Sequence, residues 1–544
     1  MTENGDTNTV QTKPAKSLDL DDILVNQIGE FGKFQLTNLF LLFIPMLLCG
    51  LLNEYIFGTA VVPHRCMIPE CGEESKGLTY YNDWASDAIP KDSNGKLSSC
   101  KRFVPINGTR NGTIDSCPAS LFNEEVTIEC EGYVYARENS VVYEFDLACK
   151  DWLRAMAGTF YNLGTLLALP FIGYFSDRYG RRITMVISVF NTVLLGIIRA
   201  FSVNYLMYMI LQLLQTTLGS GIYTAAFILA TEMLGPKYRV VIGMLCPTMF
   251  SLGQILLGVM AWCIQPWRHL IIGLHIPFAL LIFHYWLVPE SVRWLLSKGK
   301  HEEAKKILEK VARANNKQIS EKSLEALTNP PEIPLTQKQN DDNIFKVIIK
   351  SPVMLRRVCT IPIWWITTTF VYYGLSIYST SVSSNMYVSF ILGAVIDLPG
   401  YFTAILLVNW VGRKYTICGG FFLSAAANAA FAFIKPELSI VRLCIYLVGK
   451  YSISAVFSSL YLYTLELYPT QYRHRLLAFS SMIGRVGSIT APLTLTLATF
   501  WSGIPSLMFA SMGVLSGLLV LTQPETLQTR LPDTVFEAET LGKP

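Results

Sequence analysis

Long apolar stretches separated by short polar ones run along most of this chain, and their lengths are informative. A helix needs about 20 mainly apolar residues to cross the hydrocarbon of a bilayer. The windows 35–59, 183–203, 240–264, 268–288 and 501–522 meet that requirement cleanly. The windows 152–175, 205–230, 354–378, 384–410, 415–434, 438–464 and 474–498 meet it with isolated polar residues inside them. The pattern therefore predicts an all-α membrane protein with twelve spans. Composition agrees, since a chain that is 51% hydrophobic and 15% charged is too apolar to fold as a soluble globule of 544 residues. The polar stretch before the first run carries Asp19, Asp21 and Asp22 and has neither the basic flank nor the cleavage site of a signal peptide, so the run reads as a true span.

The net charge of +4 says little, but the placement of Lys and Arg says more. They gather at 176–182, 236–239, 289–357 and 412–414. The positive-inside rule places these segments in the cytoplasm, and an even number of spans puts both termini there too. A plasma-membrane location is the expectation. Residues 63–150 then face outside, and their chemistry fits. The loop holds Cys66, Cys71, Cys100, Cys117, Cys130 and Cys149, with glycosylation sequons at Asn107 and Asn111. Six cysteines in an oxidising compartment predict three disulfides, with fifteen pairings open. The remaining cysteines, such as Cys49, Cys263 and Cys418, lie in or beside apolar spans and read as packing residues.

The chain repeats itself. Asp177-Arg178-Tyr179-Gly180-Arg181-Arg182 matches Asn409-Trp410-Val411-Gly412-Arg413-Lys414 at an offset of 232. Glu232 to Arg239 matches Glu466 to Arg473 at 234, and Pro289-Glu290-Ser291 matches Pro524-Glu525-Thr526 at 235. One such pair is easily chance; a shared offset is duplication. Two parallel six-helix halves around a central cavity is the plan of the major facilitator fold. The expected layout is a cytoplasmic N-terminus (1–34), a first half (35–288), a linker (289–353), a second half (354–522) and a cytoplasmic tail (523–544). Within the linker, Ala304, Ile307, Leu308 and Val311 recur at helical spacing, which predicts an amphipathic surface helix over 301–314.

Gly173-Tyr-Phe-Ser-Asp177-Arg178-Tyr-Gly180-Arg181-Arg182 has the form G-x-x-x-D-R-x-G-R-R. Its glycines allow close approach and a tight turn, and Asp177 and the arginines are expected to pair across the cytoplasmic helix ends, opposing inward opening. Glu232, Arg239, Glu290, Arg293, Gly412, Arg413, Glu466 and Arg473 join this gating set through the repeats. Thr231-Glu232 through Arg239, Pro289-Glu290-Ser291-Val-Arg293-Trp294-Leu295-Leu296 and Tyr461 through Arg473 resemble the signatures of solute carrier family 22, the organic cation, organic anion and carnitine transporters. So does the cysteine-rich first loop. The resemblance runs from about Phe31 to Thr526 and implies a carrier of small organic ions that rocks two halves about a central site.

Ionisable residues at membrane depth are costly and so mark candidate function. Glu54, Asp397, Lys450 and Arg485 stand out, three of them in the second half and able to form one polar cluster at the cavity. A purely structural pairing of Asp397 with a cation is the alternative. The resemblance adds that Gly449-Lys450 and Arg485 are similar to anion and carnitine carriers, whereas Gly400 stands where anion carriers place Lys. Together with the acid Glu54, this favours a zwitterion or an organic cation, carnitine-like or amino-acid-derived, over a dianion. An organic anion exchanger and a solute-sensing receptor are the alternatives. Trp365, Tyr372, Tyr373, Phe250 and Gln254 complete the expected substrate site, the rings being suited to an ammonium group or an apolar substrate.

The six histidines are scattered without metal-ligand spacing, and no P-loop is present, so neither a metal site, a cofactor, nor ATP hydrolysis is expected. No convergent nucleophile–base set points to an enzyme. The expected partners are the bilayer and a small organic ion, with a monomer as the working unit, no nucleic acid, and the coupling ion undetermined.

Overall fold

Backbone N–H and C=O groups have no water to bind inside hydrocarbon, so apolar runs of this length close their hydrogen bonds within helices. The computed structural model describes residues 20–73, 78–91, 97–106, 117–320, 323, 348–383, 385–435, 437–529, 532 and 534–541. The sequons at Asn107 and Asn111 and the side chain of Arg239 lie outside them. Among the described residues, twelve helices are long and apolar enough to cross a membrane. Spans 1 to 6 are Lys33–Gly58, Asp151–Tyr179, Arg181–Ala200, Tyr205–Glu232, Leu245–Cys263 and Trp267–Leu287. Spans 7 to 12 are Pro352–Ser381, Met386–Trp410, Arg413–Phe433, Ser439–Leu467, Arg473–Leu497 and Ile504–Leu521. Each window read from the sequence falls on one of them.

The two halves meet mainly through span 2 against span 11 and span 5 against span 8. The named contacts between them cluster toward the end of the bundle that carries the long first loop. Phe57 stacks on Tyr387 at 5.5 Å and meets Phe390 edge-on at 4.9 Å, while Trp262 lies parallel to Tyr387 at 6.2 Å. Thr159 donates to the Ile489 carbonyl at 3.2 Å, and Gly158 lets span 2 close on Pro492, where a Cβ would come within 2.8 Å. The halves thus touch at the loop end.

The loop itself is a small disulfide-bonded unit. Strand β1 (His64–Cys66) pairs antiparallel with β4 (Tyr133–Tyr135), and β2 (Lys101–Pro105) with β3 (Phe122–Glu129). Of the pairings left open by the sequence, the structure forms Cys66–Cys130, Cys71–Cys117 and Cys100–Cys149. The remaining six cysteines are free, three of them buried. Arg65 is 1% exposed and makes a two-pronged bond to the buried Glu73 at 2.6 and 2.9 Å, its remaining protons going to the Thr79 and Tyr80 carbonyls and the Cys66 carbonyl. A charge pair so enclosed is tolerable because the guanidinium is satisfied along its whole edge. The loop's second part packs on the first half: Val141, Val142 and Leu147 lie with Tyr205, Tyr208 and Trp267, and Trp267 Nε1 donates to Glu144 at 2.7 Å. Tyr135 donates to Asp146 at 2.7 Å, and burial together with that carboxylate pushes its hydroxyl above the ordinary tyrosine range, so it remains a donor.

At the basic end the helix His301–Ala314 buries Leu308 and Val311 against Leu20, Ile23, Leu24 and Ile28 from the N-terminal segment. Asn315 fixes this clasp, accepting from the Phe34 N–H at 3.0 Å and donating to Gln35 Oε1 at 2.9 Å. The short helix Val535–Thr540 belongs to the other half, where Ala538 is fully buried beside span 7 and Glu539 accepts from Ser351.

Candidate functional site

The repeated motifs build the same object twice at the basic end. Gly180 precedes span 3 and Gly412 precedes span 9, both at positive φ (+100° and +107°) that a side chain rarely adopts. The turn presents the first N–H groups of each helix to a carboxylate. Glu290 accepts from the Arg181 and Arg182 N–H groups at 3.0 and 3.1 Å, and Glu525 accepts from Arg413 and Lys414 at 2.9 and 3.0 Å. A carboxylate there satisfies unpaired donors and complements the helix dipole. Arg181 bonds the Ser176 carbonyl and lies 3.6 Å from Glu232, while Arg413 bonds the Val408 carbonyl and lies 3.1 Å from Glu466.

In this structure every one of these ion pairs lies within one half. Asp177, at the end of span 2, pairs with Arg181 at the start of span 3 at 3.1 Å, inside the same half, and its side chain is 75% exposed. Arg178 lies over Tyr174 and Tyr179 and Arg182 over Tyr285, while Arg473 donates to the Tyr468 carbonyl at 3.3 Å. Arg293 sits on the short helix Val292–Ser297 that follows Glu290. Gly173 does not serve close helix approach, since a Cβ there would meet nothing within 4 Å.

At mid-depth the expected single polar cluster is divided. Glu54 is 3% exposed and bound by Arg199 of span 3, a partner the sequence reading passed over because it lies near the end of an apolar run. Asp397 is fully buried behind the cavity. It accepts from Tyr372 at 3.0 Å and from Ser454, with Lys450 at 3.8 Å. Lys450 also donates to Ser376 at 2.6 Å and to the Tyr372 carbonyl at 3.2 Å, lying over the Tyr372 ring. Both the acid and the base are saturated, which is the geometry of the structural alternative.

Arg485 differs. It is half-buried on span 11, bonded to the Tyr373 hydroxyl, with Tyr461 and Tyr161 close by, and no carboxylate pairs with it among the described residues. Of the span 7 aromatics, Trp365 and Tyr372 are 2% and 3% exposed, Trp365 donating to Thr464, so the neighbour Tyr373 is the one turned to the charge. Tyr461 is 42% exposed, faces Trp365 edge-on at 4.5 Å and adjoins Phe457. Across the gap, Phe250 meets Tyr223 edge-on at 6.2 Å, whereas Gln254 is buried at the crossing of spans 1 and 5. Tyr161, Tyr223 and Phe457 went unread in the sequence because a tyrosine or phenylalanine in an apolar span looks the same whether it faces lipid or cavity.

A family described as sugar (and other) transporter matches residues 128–533. The chain is 30% identical to solute carrier family 22 member 7 of Mus musculus across 96% of its own length and 97% of that protein. It is also 30% identical to the organic cation transporter protein of Drosophila melanogaster, across 96% and 95%. Among solved structures, the inward-open xylose transporter from E. coli superposes on 91% of this chain and 98% of its own with a TM-score of 0.63. At 17% identity that likeness is one of fold alone.

Proposed function

Because this chain belongs to solute carrier family 22, within the sugar (and other) transporter family, we propose that it carries a small organic solute bearing a carboxylate or other anionic group, selected by Arg485. It is a multi-pass membrane transporter and not an enzyme. The observation that carries the finer reading is the state of the mid-depth charges. Glu54 and Asp397 each have a cation of their own, and among the described residues no acid pairs with Arg485. A guanidinium set among tyrosine hydroxyls binds a planar anion in two-pronged fashion. The acid expected to receive an amine, Glu54, is already engaged.

The zwitterion reading keeps one specific support: the rings of Tyr373, Tyr461 and Tyr161 around Arg485 are able to hold an ammonium group beside the carboxylate. Alternating access follows from two braced halves whose contacts concentrate at one end. In this reading the disulfide-bonded loop faces outside, both termini face the cytoplasm and the membrane is the plasma membrane. Uptake of labelled benzoate, carnitine and tetraethylammonium into vesicles tests the proposal. Benzoate flux that depends on Arg485 supports it; carnitine flux without benzoate flux supports the zwitterion; tetraethylammonium flux alone overturns both. Binding of any of them without flux makes the protein a receptor.

A further inference from the structure

The long first loop holds a group of side chains that transport leaves unused. Of its three disulfides, Cys66–Cys130 and Cys71–Cys117 lie in the loop's own apolar core with Ile68, Trp84 and Phe122. Cys100–Cys149 lies outside that core, and both of its residues are partly exposed. His64 stands beside it. Its Nε2 atom is 3.5 Å from Cys149 Sγ, and that nitrogen and the two sulfurs all lie within 4.8 Å of one another.

The ring is held in one tautomer. Nδ1 faces the Val62 carbonyl at 2.8 Å, and a carbonyl only accepts, so in the neutral ring Nδ1 carries the proton and Nε2 turns its lone pair toward the bridge. Tyr133 and Tyr135 flank the imidazole, with ring centroids 5.7 and 5.8 Å away, and help to fix its plane. Cys149 adds a second sign. Its φ is +56°, in the left-handed region that residues other than glycine rarely adopt and that clusters at functional positions. It lies two residues before span 2, while Cys100 leads directly into β2, so the bridge ties the start of that strand to the start of that span.

We infer that Cys100–Cys149 is a thiol-exchange site, at which a small-molecule thiol adds to Cys100 and His64 acts as the base. Exchange runs through a thiolate, and its rate depends on forming that thiolate, on access and on how readily the displaced sulfur leaves. His64 Nε2 takes the proton of the incoming thiol. The resulting thiolate bonds to Cys100 Sγ as the Cys100–Cys149 bond breaks, and Cys149 leaves as a thiolate beside the imidazolium, a neighbour that stabilises it. The proton then passes from Nε2 to the Cys149 sulfur, and the Ser99 carbonyl, 3.5 Å away, accepts from the new thiol. In sum, one thiol is consumed, a mixed disulfide forms on Cys100 and a free thiol on Cys149; the incoming sulfur is oxidised as Cys149 is reduced. None of these steps depends on which solute the protein carries.

Reduced glutathione on the purified full-length protein is the probe, with timed samples quenched in acid, alkylated, digested and mapped by mass spectrometry. Cys100–Cys149 is expected to open at least about tenfold faster than either bridge in the apolar core, since exposed disulfides are the labile ones. Glutathione is expected on Cys100 and the alkyl group on Cys149. Earlier opening of another bridge, or glutathione on Cys149 instead, overturns the exchange site; both are read on the natural protein and need no variant. His64→Asn keeps a donor for the Val62 carbonyl but no base, and His64→Gln places an amide nearer the sulfur. Each is expected to slow the opening by about a hundredfold, the low end of general acid–base catalysis, and to leave the other two bridges unchanged. A histidine that only supports the fold gives the opposite sign, because loosening β1 speeds opening at every bridge. An unchanged or faster rate in both variants overturns the role of His64.

Discussion

Glu290 accepts hydrogen bonds from both N–H groups that open span 3, and through them it fixes the position of Arg181. Glu525 repeats the arrangement on Arg413. Because each cap acts inside its own half, Glu290→Ala and Glu525→Ala are expected to destabilise the protein by about 1–2 kcal/mol apiece, the usual range for a lost helix cap. Thermal unfolding in detergent measures this. Equal loss of substrate affinity without loss of stability would tie the caps to the site instead.

Arg485→Ala removes the free charge. Charge-assisted hydrogen bonds contribute about 1.5–3 kcal/mol, so affinity for a small carboxylate is expected to fall by about tenfold to a hundredfold. Arg485→Lys should recover part of it, since an ammonium lacks the planar fork. Binding titration of benzoate on the purified variants is the measurement, and equal loss for tetraethylammonium would make the residue structural.

Lys450 and Asp397 are expected to behave as one unit. Lys450→Met leaves a buried carboxylate without its cation, a change that commonly costs about 3–5 kcal/mol. The double variant Lys450→Met with Asp397→Asn should recover most of the lost stability and expression. A double variant that stays folded yet binds no substrate would return the pair to the substrate site.

Tyr372→Phe and Tyr373→Phe separate neighbouring rings. The first removes a bond to Asp397 and is expected to lower stability by about 1 kcal/mol with little effect on affinity. The second removes the bond to Arg485 and is expected to weaken solute binding severalfold with little effect on stability. Reversed effects, read by unfolding and binding on the same preparations, would contradict the assignment of cavity and core faces on span 7.

Asp177→Asn is expected to change stability by no more than about 0.5 kcal/mol, because its pair with Arg181 is largely solvated. Slower exchange in the same variant would show that Asp177 acts in the opposite state of the cycle.

Much of this protein was settled along the chain. The spans follow from apolar length, which the bilayer imposes on any helix that crosses it. The duplication was legible because Gly180 and Gly412, or Glu290 and Glu525, are irreplaceable locally: one needs a positive φ, the other a carboxylate at a helix start. What the sequence left open depends on which faces meet. The disulfide pairing, the strands of the loop, the Arg199 partner of Glu54 and the burial of Tyr372 beside the half-exposed Tyr373 are all decided by packing between segments far apart in the chain. An isolated charge in an apolar run carries no record of its partner; only the folded bundle separates Asp397, beside Lys450, from Arg485, with which no carboxylate pairs among the described residues.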